Sequence, residues 1–199
     1  MTPNTFVLSD PAFAPLLATL RDRSLRPAAV RATVSAMTSL LAQEAATTPV
    51  APGEKVAVIV ILRSGLAMSD AFTAALPADA DTVVYHLGLF REKHTLQPVE
   101  YYNKLPRKPQ NIKHAYVLDP LVATGGTARA AINILKDWGI ESVTFACLLA
   151  SQAGLEAATS AWPENTRFVV GHVDSSLDDK GYVQPGVGDI GDRLFGTTE

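Results

Sequence analysis

The chain has 199 residues, 47% of them hydrophobic, and a formal net charge of -3, which suits one domain, residues 1–199, with a full core. Its acids and bases are interspersed and its longest positive cluster, Arg107 and Lys108 near Lys104, is short and broken by proline, so no nucleic-acid partner is expected. The lone Cys147 sits in an apolar run and reads as a buried thiol of a reducing compartment; with no basic-then-apolar start and no run of about 18 apolar residues, a cytoplasmic protein without a membrane partner is expected.

Val30, Val34, Met37 and Leu41 recur at helical spacing in an alanine-rich stretch, predicting an amphipathic helix over 27–46 entered through Pro27, within an N-terminal helical part, 1–50. After Pro52 and Gly53, the continuous apolar run 55–62 has the length and β-branched content of a strand buried on both faces. A helix over 66–76 and a strand over 82–90 follow. Residues 91–113 hold three prolines among aromatic and basic residues, and loops this long in compact domains are functional lids or disordered. Leu96, Val99, Tyr101, Tyr102 and Leu105 argue for a lid or short β-hairpin flap, which Tyr102 and Lys104 either help to close or merely pack and solvate. The alternation then resumes with strand 115–119, helix 127–138, strand 142–149, helix 155–161 and strand 167–172. Five parallel strands with helices on both faces are expected. The glycine-rich tail 174–199 reads as a shaped loop, too irregular for helix or strand.

Residues 117–131, VLDPLVATGGTARAA, join an apolar strand, an acid, a Thr-Gly-Gly-Thr turn and a helix start. Asp119 would emerge at the carboxyl end of a buried strand, where open α/β sheets bind ligands. Gly125 and Gly126 remove side chains that would keep an oxyanion from the main-chain amides, while Thr124 and Thr127 add hydroxyls and the helix that follows offers unpaired N–H groups. The expected guest is a phosphate. No lysine follows the glycines, so nucleoside triphosphate hydrolysis is unsupported, and a dinucleotide fingerprint lacks its third glycine. His86, His94, His114 and His172 show no ligand spacing, so no metal held by the chain's own side chains is expected.

The acid followed by Thr-Gly-Gly-Thr resembles the PRPP-binding loop of type I phosphoribosyltransferases. With ILRSGLAMS (61–69), GLFREKHTLQPVEYYNKLPR (88–107) and GYVQPGVGDIGDRLFGTT (181–198), the chain resembles the uracil phosphoribosyltransferase family from about residue 20 onward. The resemblance implies an α/β, type I phosphoribosyltransferase fold: a five-stranded parallel sheet flanked by helices, a flap over 91–113 and a C-terminal base-binding hood over 174–199. It implies transfer of phosphoribose from PRPP to uracil, giving UMP and pyrophosphate, with Mg²⁺ bound through PRPP. Asp119 and Asp189 would be catalytic. PRPP would be held by Arg63, Arg91, Asp119, Pro120, Leu121, Val122, Ala123, Thr124, Gly125, Gly126, Thr127 and Asp189. Val183, Gly188, Asp189 and Ile190 would read uracil.

Three departures from the family pattern stand out. Residues 46–55 are too few for the β-arm that usually clasps a neighbouring subunit, so a homodimer would have to rest on apolar helix faces. Ser64 and Ala67 replace the usual alanine and glycine after Arg63. Gln184 stands among positions usually aliphatic, either altering base choice or pointing to solvent. Two other readings stay open: a weak or inactive PRPP- or uracil-binding regulatory homologue, and a phosphoribosyltransferase for another base.

Overall fold

A computed structural model of the protein describes residues 2–47, 50–92 and 98–197. In chain order the elements are β1 (Thr5–Val7), α1 (Phe13–Arg21), α2 (Pro27–Ala45), β2 (Lys55–Leu62), α3 (Leu66–Thr73), β3 (Asp81–Arg91), β4 (Pro98–Asn103), β5 (Ile112–Leu118), β6 (Leu121–Val122), α4 (Gly126–Trp138), β7 (Ser142–Ser151), α5 (Gln152–Thr159), β8 (Thr166–Asp174), β9 (Ser176–Leu177), β10 (Val183–Gln184) and α6 (Ile190–Phe195). The main sheet runs β1-β8-β7-β5-β2-β3-β4, with β6 paired to β7, and β9 and β10 form a separate two-stranded sheet. Strands β1, β8, β7, β5, β2 and β3 are mutually parallel, and β4 turns back antiparallel on β3 as the flap hairpin.

Because successive side chains leave a strand on opposite faces, β2 divides its apolar run between two cores. Val56, Val58 and Val60 pack with Val30, Val34, Met37 and Leu41 of α2 and with Met68 and Phe72 of α3. Ala57, Ile59 and Ile61 pack on the other face with Ala131, Ile132 and Leu135 of α4. Strand β5 splits likewise, Tyr116 and Leu118 to the first core and Ala115 and Val117 to the second. Burial on both faces is what fixes the strands as central and aligns their carboxyl ends on one side. Cys147 lies wholly buried in β7; burial first, and then the charge of nearby Asp119, push its thiol well above the ordinary value. No helix among the described residues is long and apolar enough to cross a membrane.

The structure revises several boundaries. Strand β5 starts at Ile112, so residues 112 and 113 belong to the sheet and not to the flap. Helix α5 starts at Gln152 because Ser151 Oγ accepts the Gly154 amide at 2.8 Å and caps it, whereas the glycine in its first turn hid that start in the sequence. The tail is not devoid of regular structure: it holds the β9–β10 hairpin and helix α6, capped by Asp189, whose Oδ1 accepts the Asp192 amide at 3.0 Å. Strand β1, at the sheet edge, was too short to register as a periodic pattern.

The hood is tied to the body at Asp174, whose side chain is 4% exposed. Arg21 grips both its carboxylate oxygens at 2.9 and 2.7 Å, and the Gly186 amide donates to it at 3.0 Å. Burial works to raise the Asp174 carboxyl, but the hydrogen bonds from Arg21 and Gly186 outweigh it and hold the group below the ordinary carboxylate value. A depressed folded-state value means that the stabilisation is complete above the unfolded carboxyl's pKa of about 3.9 and is lost as pH falls through the folded value. Asp174→Ala should therefore cost about 3 kcal/mol in urea unfolding at neutral pH, since it strands the guanidinium and an amide. The gap to wild type should shrink below about pH 4; a gap independent of pH would refute the ion-pair account.

Candidate active site

The carboxyl ends of β2 and β5, the first turn of α4, the flap and the hood enclose a cavity of about 590 Å³. Arg63 and Ser64 reach it from the end of β2, Asp119 from the end of β5, and Leu121 to Thr127 from the loop and helix start. Phe90 and Tyr101 reach it from the flap, and Tyr182, Asp189, Ile190 and Gly191 from the hood.

The loop after Asp119 is held from behind. The Pro120 carbonyl accepts the Leu148 and Leu149 amides at 3.2 and 3.1 Å, and β6 pairs Leu121 with Leu149 and Val122 with Ala150. The Ala123 carbonyl accepts the Ser151 hydroxyl at 2.6 Å. Gly125 then turns with φ of +79°, and a Cβ there would stand 2.4 Å from the Gly154 carbonyl. A Cβ on Gly154 would lie 2.0 Å from the Ala123 carbonyl. Two glycines, one in the loop and one in α5, thus allow the backbone contact that turns the α4 amino terminus toward the cavity. Its first amides lack intrahelical acceptors, and Gly126, Thr127 and Ala128 line the cavity.

Asp119 is buried, 6% exposed, and points into the cavity. Burial pushes its carboxyl up to about 7, against the lowering effect of long hydrogen bonds from the Leu121 amide, 3.5 Å, and the Ser64 hydroxyl, 3.4 Å. Arg63 is half exposed; its Nη2 lies 3.0 Å from Asp192 Oδ1. Asp189 both caps α6 and lines the cavity.

Several residues singled out in the sequence lie elsewhere. Pro120 is behind the loop, Val183 is packed in the core, and Gly188 backs onto the Arg23 guanidinium. None of the three lines the cavity. Arg91 ends β3, opposite Pro98, while its side chain and the flap tip, residues 93–97 with His94, fall outside the described residues. The flap presents Tyr101, not Tyr102: Tyr101 is tilted on Phe90 with ring centres 5.9 Å apart, while Tyr102 packs under Lys104. Strand alternation sets this choice, but a bulge between Gly88 and Leu89 shifts the register and hides it in the sequence. Gln184 Nε2 donates to Asp178 Oδ2 at 3.1 Å within the hairpin, away from the cavity. Among the described residues no three His, Cys, Asp or Glu side chains gather to hold a metal ion.

A parallel sheet with an acid at one strand end, a glycine turn opening a helix, a flap and a hood is the architecture of the type I phosphoribosyltransferases. The adenine phosphoribosyltransferase of Trypanosoma brucei, solved with AMP, pyrophosphate and ribose-5-phosphate, shares this fold at a TM-score of 0.58 and 14% identity, over 91% of this chain and 88% of that one. The AQ2163 protein of Aquifex aeolicus superposes at a TM-score of 0.87 with 27% identity, over 98% and 99% of the two chains. A family model described as uracil phosphoribosyltransferase matches residues 46–197. Schizosaccharomyces pombe urg2, provisionally named a uracil phosphoribosyltransferase, is 47% identical over 195 residues, 98% of this chain and 91% of its own. The chain belongs to the uracil phosphoribosyltransferase family.

The raised Asp119 value carries a sign opposite to that of Asp174. The folded, ligand-free protein keeps a proton that the unfolded chain gives up, so the stabilisation is full below about pH 4 and is lost as pH rises through about 7. Asp119→Asn should therefore gain stability over wild type between about pH 5 and 8, with a constant difference below about pH 4. Parallel stability curves across that range in denaturant unfolding would remove burial as the cause.

Proposed function

We propose that the protein transfers the phosphoribosyl group of PRPP to N1 of uracil, releasing pyrophosphate and forming UMP. The observation that carries this reading is that Asp119, the Thr124–Thr127 turn, Arg63 and the hood residues Asp189 and Ile190 share one cavity, in a chain of the uracil phosphoribosyltransferase family. Family membership favours an active enzyme over a binding-only homologue, and Gln184, turned to Asp178, offers no contact that would redirect base choice.

In the reaction the bond from ribose C1 to the diphosphate oxygen breaks, C1 bonds to uracil N1, and the N1 proton is released. Thr124, Gly125, Gly126 and Thr127 hold the 5-phosphate with amides and hydroxyls. Asp119 accepts hydrogen bonds from the ribose hydroxyls and, with Asp189, faces the positive charge that grows on the sugar. Arg63, aided by Arg91, meets the diphosphate. Ile190 and the main chain around Asp189 meet the base, with Val183 and Gly188 supporting them from behind. Asp119, which lines the cavity, would on ionising suit a cation-bearing substrate, and Mg²⁺ bound to PRPP would supply charge that offsets the diphosphate. The flap, with Phe90 and Tyr101 over the mouth, keeps water from the activated sugar.

Incubation with PRPP and each of uracil, cytosine, hypoxanthine and orotate should yield nucleotide with uracil alone. Gly126→Val should abolish PRPP binding while retaining the fold, because a Cβ there meets Pro98 Cδ at 3.6 Å and Thr124 Oγ1 at 3.8 Å, both ordinary contacts, so the new side chain fills the oxyanion space without clashing with the core. Tight PRPP binding by wild type without UMP formation would make the protein a binding homologue, and turnover of another base alone would move it to another substrate.

A further inference from the structure

Arg63 stands where the chain leaves β2, half exposed and lining the cavity, yet its guanidinium is already held. Nη2 donates to Asp192 Oδ1 at 3.0 Å and Nη1 to Thr197 Oγ1 at 3.3 Å, with Cζ 5.8 Å from the centre of the Phe195 ring. All three partners lie in α6 or just beyond it. The two acceptors are themselves fixed: Thr197 Oγ1 donates to Asp192 Oδ1 at 2.6 Å, and the Thr197 amide donates to the Asp192 carbonyl at 3.1 Å. The Asp192 amide in turn donates to Asp189 Oδ1 at 3.0 Å, joining this fork to the cavity wall.

Two opposing effects follow. An arginine immobilised before a ligand arrives loses no further side-chain freedom on binding, and its planar fork keeps donors beyond those facing Asp192 and Thr197. Against that, a carboxylate beside the guanidinium repels an incoming diphosphate. Arg63 is 51% and Asp192 32% exposed, so water and salt screen the repulsion, whereas the orientation persists because it is set by geometry.

We propose that Asp192, braced by Thr197, is a positioning residue that presets Arg63 for the diphosphate of PRPP, which rests on the reading of Arg63 as a diphosphate ligand. Steady-state kinetics of Asp192→Ala should show KM for PRPP raised about tenfold, with KM for uracil and kcat within about twofold of wild type. Asp192→Asn keeps an oxygen acceptor and should recover most of that loss, a rescue that a purely structural carboxylate would not produce on one substrate alone. Thr197→Val should move KM for PRPP in the same direction by a smaller factor, and it carries the test should Asp192→Ala fold poorly. An unchanged or lower KM for PRPP in these variants overturns the proposal, a lower one meaning that the carboxylate competes with the diphosphate. Arg63→Ala separates the two readings. If it leaves PRPP binding unchanged, the role of Arg63 fails and the proposal with it; if it weakens binding while Asp192→Ala does not, only the positioning role fails.

Discussion

Two arginines, Arg21 and Arg193, tie the hood, which forms one wall of the cavity, to the end of α1. Arg193 is 8% exposed and donates to the Leu20 and Val187 carbonyls from Nη1 and to the Asp22 carbonyl from Nη2. Leu20 and Asp22 close α1, whose last carbonyls have no intrahelical donors and carry the negative end of the helix dipole. A buried guanidinium therefore finds there the acceptors that burial would otherwise deny it. Burial still pulls its pKa down, with the Arg23 charge adding to that and Asp22 opposing it. Arg21, between Leu20 and Asp22 in the chain, closes the clamp on Asp174 and the Gly186 carbonyl, the latter at 3.1 Å.

The loop on the opposite wall is placed by backbone contacts. Pro120, Ala123 and Gly125 are fixed against β7 and α5, so the chemistry-bearing atoms of residues 124–127 are held by neighbours that never touch the cavity. This division explains why Gly154 matters to the site though it lies in a helix. Any side chain there would collide with the Ala123 carbonyl and displace the turn that follows it.

Legibility in the sequence followed the range of the interactions. The buried strands were readable because a run such as that of Lys55–Leu62 carries its own signature of burial on both faces, and the turn from Asp119 to Thr127 because strand, acid and glycines are contiguous. Arg193, Gly154 and Asp192 were not readable as site supports, because each acts on a partner distant in the chain: Leu20, Ala123 and Arg63 respectively. The choice of Tyr101 over Tyr102 depended on one bulge, and α6 on a side-chain cap within a segment whose glycines argue against a helix. Local pattern thus located the elements that make the site, and tertiary contacts decided which atoms it exposes.

The buried acid at the cavity floor connects these walls electrostatically. The cavity lining offers Asp119 little positive charge, since the cation of Arg63 is paired with Asp192 and the hydrogen bonds from Leu121 and Ser64 are long. Burial therefore prevails and the carboxyl retains a proton up to about pH 7. In the proposed reaction, ribose hydroxyls donating to the carboxylate, and positive charge growing on C1 as the diphosphate departs, would both favour the ionised form. The same low-dielectric setting that makes charge costly in the cavity magnifies its attraction to a cationic sugar. Under that proposal, ionisation of Asp119 and occupancy of the site would be linked, each favouring the other, and the cost of burying the acid would be offset where the sugar becomes positive.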